Sequence, residues 1–99
     1  MAKELLPENV LSILSSRNMG VENATKQKML SAELGVSTEQ IRGAINYLRS
    51  MGFPICSGRQ GVWYAKNKVE IKDTIDNLQH RINGIANAMR GLEEAYESN

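Results

Sequence analysis

Apolar residues first recur at helical spacing at Val10, Leu11, Ile13 and Leu14, behind a proline at position 7 suited to a helix's first turn, and the run ends in the polar stretch "SSRNMG". This predicts a first helix. The next residues, "VENAT", have no period and are expected to pair as a single β-bridge before Thr25 caps a second helix from Lys26 to Leu34, with Met29, Leu30, Ala32 and Leu34 inward. Gly35 stops that helix. A third begins at Ser37, whose hydroxyl can cap exposed amides while Gln40, three residues on, completes a capping box. Ile41, Ala44, Ile45, Leu48 and Met51 share one face of it, and Gly52 ends it. "FPICS", "GRQG" and "VWYA" then read as two short strands joined by a glycine-flanked loop. Trp63 and Tyr64 alternate across the second strand, so at least one ring is expected to lie on the helices.

From Lys68 to Glu97 there is no proline, and the pattern is helical throughout. Ile71, Ile75, Leu78, Ile82, Ile85, Met89, Leu92 and Tyr96 alternate at intervals of four and three, an unbroken heptad seam. A stripe of about 29 residues reaches roughly 43 Å, too far for the preceding residues alone to cover. Residues 1–66 therefore read as one small domain and 67–99 as a dimerisation helix, for which a second copy of the chain needs the fewest assumptions. The alternative is a helix folded back along its own domain. Parallel pairing gives no ion pair between the flanks of the seam, whereas antiparallel pairing sets Lys72 opposite Glu93 twice by symmetry and uses the small flank of Ala86, Ala88 and Ala95. The flanks favour the antiparallel pair.

Charge sharpens this division. The net charge is only +1, but residues 1–66 hold eight Lys/Arg against five Asp/Glu, and residues 67–99 hold four against six. The basic end is the expected place for a polyanion. Cys56 is the single cysteine, which rules out an intramolecular disulfide, and it sits in an apolar strand as a small core residue. No apolar run approaches the roughly 18 residues needed to span a bilayer, and "MAKELLPENV" lacks the apolar region of a signal peptide, so a cytoplasmic protein is expected.

Three helices and a hairpin, with the second and third helices joined through "LGVS", is the order of a winged helix-turn-helix, mostly α with a small β-hairpin. With Ile41, Ile45 and Leu48 inward, a turn of about 100° per residue places Glu39, Arg42, Gly43, Asn46 and Ser50 outward, with Arg49 on the flank. Arg42 has the donors to grip a guanine edge and Asn46 those to pair with an adenine edge, while the amides after Ser37 suit a phosphate. Gly43 costs roughly 1 kcal/mol of helix propensity, and a missing side chain there lets the helix axis approach a duplex. Lys26 and Lys28 on the second helix, with Arg59 and Gln60 at the hairpin tip, would flank it with backbone or minor-groove contacts.

The stretch "LSAELGVSTEQIRGAINYLRSMGFPICSGRQGVWYA" resembles the winged helix at the N-terminus of biotin operon repressors and related bacterial regulators. With "GVENATKQKM" ahead of it, it is also similar to small winged-helix proteins of phages and prophages of Gram-positive bacteria. The resemblance spans Leu6 to Ala65 and implies sequence-specific binding of double-stranded DNA, as in transcription regulation. Its implied contacts are Thr38, Arg42, Asn46 and Arg49 on the helix, and Arg59 and Gln60 in the wing. Biotin chemistry is not part of the expectation, since no ligase sequence follows the wing. Glu39 and Gly43 make this helix face less basic than in many such proteins.

A winged helix can also act purely as a protein-docking module, and that alternative stays open. No enzyme is expected. One histidine, His80, lies outside the seam, and with one cysteine and no acid-base or nucleophile cluster there is no reaction centre to name and no metal or cofactor implied.

Overall fold

The structure is a computed structural model and describes residues 5–98; the expectation drawn from Met1 to Glu4 lies outside them. Four α-helices and one hairpin follow in the order α1 (Leu6–Arg17), a 3-10 turn (Val21–Asn23), α2 (Gln27–Leu34), α3 (Thr38–Ser50), β1 (Ile55–Gly58), β2 (Gly61–Tyr64) and α4 (Lys68–Ser98). The mostly helical fold with a two-stranded antiparallel hairpin and a long last helix is the architecture the periodicities predict. Among the described residues no helix is long and apolar enough to cross a membrane.

The core forms where α1, α2 and α3 meet. Leu6, Val10 and Leu14 come from one side of α1, Leu30 from α2, and Ile41, Ala44, Ile45 and Leu48 from α3, all buried in one cluster with Ile55 and Val62 of the hairpin. The strands pair Ile55 with Tyr64, Cys56 with Trp63, Ser57 with Val62 and Gly58 with Gly61. Directly paired residues share a face. Ile55, Val62 and Tyr64 therefore turn toward the helical cluster, and Cys56 and Trp63 toward the opposite side, where the first turns of α4 lie. The hairpin is thus covered on both faces, which buries an interior in a chain too short for a second layer of helices.

Residues 19–25 join the hairpin by two isolated bridges, Met19 to Tyr64 and Thr25 to Val62. The expected single bridge is therefore one of a pair. Thr25 exchanges backbone hydrogen bonds with Val62 at 2.9 and 2.8 Å, which puts it one residue ahead of the position it was expected to cap. Lys26 occupies that position, and its side chain makes no cap bond. The inward face of α2 is also narrower than the pattern suggests: Leu30 is buried, but Met29 and Ala32 are exposed because α2 meets the core along a single edge. The expected capping box on α3 is present, with Ser37 Oγ accepting from the Gln40 amide and Gln40 Oε1 accepting from the Ser37 amide. Met51 closes α3 and is exposed, not part of its buried face.

The joint between the hairpin and α4 is built on Glu70. This buried carboxylate accepts hydrogen bonds from the Trp63 indole (3.0 Å), the Val21 amide (3.0 Å) and the Lys66 amide (3.1 Å). Asn67 Oδ1 accepts from the Glu70 amide, so the same turn caps α4. One turn on, buried Thr74 Oγ1 accepts from the Ser57 amide of β1. The boundary expected between residues 66 and 67 is a change of element within continuous packing, since Glu70 and Thr74 belong to the head's interior.

Burial pushes the Glu70 carboxyl up, but the three N–H donors and the nearby Lys66 ammonium outweigh it and hold it below the ordinary glutamate value. A depressed folded-state value means that the unfolded chain takes up the proton first as pH falls. The joint's stabilisation is present above the ordinary glutamate range and is lost on acidification through the folded value. Thermal unfolding followed across mildly acidic pH should show a falling midpoint, and Glu70→Gln should flatten that fall while lowering stability at neutral pH. Glu70→Ala should cost about 2–3 kcal/mol at neutral pH by leaving donors unpaired.

Gly61 holds the other tight contact. At φ +123° its missing side chain leaves room for the Thr25 carbonyl, and a Cβ there would lie 2.2 Å from that oxygen. Gly61→Ala should therefore disrupt the bridge and lower the urea midpoint, whereas alanine at Gly43, which meets nothing within 4 Å, should not.

Candidate nucleic-acid interface

The outer face of α3 stands clear of the fold. Thr38, Glu39, Arg42, Gly43, Asn46 and Ser50 are all exposed, while the opposite face of the same helix supplies four buried residues. The helix cannot rotate without exposing Ile41, Ala44, Ile45 and Leu48 to water, so the direction in which Arg42 and Asn46 project is fixed by the core. Gly43 leaves an open notch beside them. Tyr47, 53% exposed beside Asn46, adds an aromatic ring to the flank of this face that the helical pattern had not singled out. The signal for it was its absence from the inward set.

Arg49 does not project with the others. Its Nε donates to the Ile55 carbonyl at 2.8 Å and its Nη2 to Ser57 Oγ at 2.9 Å, so the guanidinium is folded against β1 and half-buried. Burial lowers its pKa, with the nearby Arg81 acting in the same direction. The planar fork suits this double contact. Arg49 thus anchors the C-terminal end of α3 to the hairpin.

Ser37 also has a structural task, since its hydroxyl is held in the capping box. The amides of Thr38 and Glu39 remain at the open end of the helix. Lys26 reaches across to the hairpin, where its Nζ donates to the Arg59 carbonyl at 2.6 Å. The start of α2 and the hairpin tip are thereby brought together, with Arg59 and Gln60 exposed at the turn. Lys28 is exposed on α2.

The remaining candidates separate cleanly. Cys56 is buried, and burial raises the pKa of its thiol. His80 is exposed on α4. Of the seam residues, Ile71 and Leu78 are half-buried, and Ile75, Ile82, Ile85, Met89, Leu92 and Tyr96 are exposed. Compared with known proteins, the chain matches no family model, no curated protein and no solved structure.

The two arginines of α3 should respond differently to truncation. Arg49→Ala should lower unfolding free energy by about 1–3 kcal/mol by removing two hydrogen bonds from a charged donor. Arg42→Ala should change it by no more than about 0.5 kcal/mol, as expected for an exposed site. Urea denaturation of the two variants measures both.

Proposed function

We propose that this protein is a cytoplasmic, homodimeric regulator that binds double-stranded DNA, with α3 in the major groove and the hairpin tip on the flanking backbone or minor groove. The observation that carries the reading is the exposed face of α3. A helix fixed by its core side presents Arg42 and Asn46, the two side-chain types with donor and acceptor geometry for guanine and adenine edges, beside a glycine notch. A B-DNA major groove about 12 Å wide admits such a helix. The resemblance to winged-helix regulators supports the same surface. Lys28, Arg59 and Gln60 then serve the backbone, while Lys26 contributes by holding the hairpin tip to the start of α2 and Arg49 by holding the end of α3 against β1.

A second reading, a protein-docking module without DNA binding, is favoured by one observation. Met29, Tyr47 and Met51 leave exposed apolar surface on α2 and at the end of α3. Soft, exposed methionine and tyrosine suit protein partners.

Salt separates the two. Affinity for random duplex should fall steeply and linearly on a log–log plot as salt rises, because phosphate contacts release counterions. On a preferred site, obtained by selecting bound genomic fragments, Arg42→Ala and Asn46→Ala should each cost about 1–3 kcal/mol, with little effect on random DNA. Lys28→Ala and Arg59→Ala should weaken both and flatten the salt slope. Gly43→Ala should raise stability by about 0.5–1 kcal/mol yet weaken DNA binding, opposite signs that follow from filling the notch. Salt-insensitive binding, or DNA affinity untouched by all of these substitutions, would remove the DNA reading and leave the docking module.

A further inference from the structure

Beyond Leu78, α4 leaves the head, and its apolar seam has nothing of its own chain to lie on. Every seam residue beyond Leu78 is exposed, from 56% at Met89 and 57% at Ile82 to 85% at Tyr96. The side of α4 that docks on the hairpin is a different one. Glu70 and Thr74 point inward, and each seam residue that follows them, Ile71 and Ile75, lies about 100° further round the helix. Docking on the head therefore leaves the seam available.

The same segment is a poor helix in isolation. Gly84 and Gly91 sit inside it with open space around them, and each lowers helix propensity by roughly 1 kcal/mol relative to alanine. Solitary helices draw their stability in proteins from a packed face. A continuous apolar stripe of this length is also more than monomeric proteins ordinarily expose.

Where α4 meets the head, the seam borders a cleft. Phe53, Pro54 and Ile55 form one wall and Ile71, Ile75 and Leu78 the other, with Arg49 at its edge. Phe53 is 37% exposed there.

We infer that this cleft receives the last three turns of α4 from a second copy of the chain, so that the two α4 helices pair antiparallel. The inference deepens the homodimer of the proposed function by fixing its orientation and its receiving surface. Charge identifies the occupant. After Arg90 the helix carries Glu93, Glu94 and Glu97 and no lysine or arginine, whereas the one charged residue that lines the cleft is Arg49, with Lys72 beside it on α4 among Asp73 and Asp76. Antiparallel pairing lays the acidic turns beside Arg49 and Lys72. Parallel pairing would set the acidic turns against their own copies.

Setting Ile82 on Ile85 of the other copy fixes the remaining layers: Leu78 meets Met89, Ile75 meets Leu92 and Ile71 meets Tyr96. Each layer occurs twice by symmetry, and every seam residue is used. Lys72, now in an exposed pair with Asp76, then also faces Glu93 of the other copy. The anchoring turns of the two heads, seventeen residues apart along the rod from Ile75 to Leu92, are separated by about 26 Å on its axis. The heads stand at opposite ends, related by a two-fold axis across the rod.

The test uses the full chain with Cys56→Ala. Ile75→Cys and Leu92→Cys proteins are prepared separately, mixed, equilibrated and oxidised. Both positions are exposed in one copy of the chain, so neither substitution opens its core. The expected result is a crosslinked dimer containing one chain of each kind, with little product from either variant alone. Self-crosslinking of Ile75→Cys alone would establish parallel pairing and overturn the inference. Sedimentation of the unaltered chain checks the pairing itself, apart from its orientation, without cysteines. A dimer that Leu92→Asp weakens at least tenfold agrees with the inference, and a monomer at tens of micromolar overturns it. DNA binding is read separately by salt titration. Parallel pairing with salt-sensitive DNA binding removes only the orientation, and antiparallel pairing without DNA binding removes only the DNA reading.

Discussion

A single buried carboxylate ties together the first loop, the hairpin and the start of the last helix. Glu70 accepts from the indole of Trp63 on the hairpin, from the amide of Val21 in the first loop and from the amide of Lys66 in the connector, and its own amide is capped by Asn67. Burying a charge costs stability unless donors surround it, and here three N–H groups replace the water it gives up. The consequence is directional. Because Glu70 is the third residue of α4, the helix leaves the head along a line set by the hairpin, and the hairpin is set in turn by the helical core.

The same logic divides the polar residues of the head into two groups. Arg49, Lys26 and Ser37 each spend their side chains on the chain itself, against β1, the hairpin turn and the α3 capping box. Arg42, Asn46, Thr38 and Lys28 project outward. The first group gives the second its fixed positions. A surface that is to read another molecule needs side chains whose supporting backbone does not shift, and Arg49 supplies that at the end of α3 where helices ordinarily fray.

Much of this was legible from local pattern. The three-to-four spacing gave α1 and α3 their buried faces and α4 its length, Ser37 with Gln40 marked the start of α3, and the glycines beside Arg59 and Gln60 marked the hairpin. What escaped depended on partners distant in sequence. Arg42 and Arg49 are the same residue type on nearly the same side of α3, about two turns apart, and only the Ile55 carbonyl and Ser57 hydroxyl turn the second inward. Thr25 has the chemistry of a cap, but its backbone is engaged by Val62, thirty-seven residues on. Met29 has the hydropathy of a core residue, but α2 is too short and too peripheral to bury it. Glu70 had a local sign in its spacing from Asn67, which announces a cap, but nothing nearby announces its contacts with Trp63 and Val21.

Trp63 is the only tryptophan in the chain, and it lies at this joint with its ring buried and its N–H on the Glu70 carboxylate. The protein therefore carries a built-in optical probe of one specific contact. Indole emission shifts to longer wavelength when water reaches the ring, so separation of α4 from the hairpin is visible as a colour change, independent of helix content. Loss of helix content in the circular dichroism signal, by contrast, reports α1 to α4 together. The two signals observe the joint and the whole fold at once, in a single unlabelled sample.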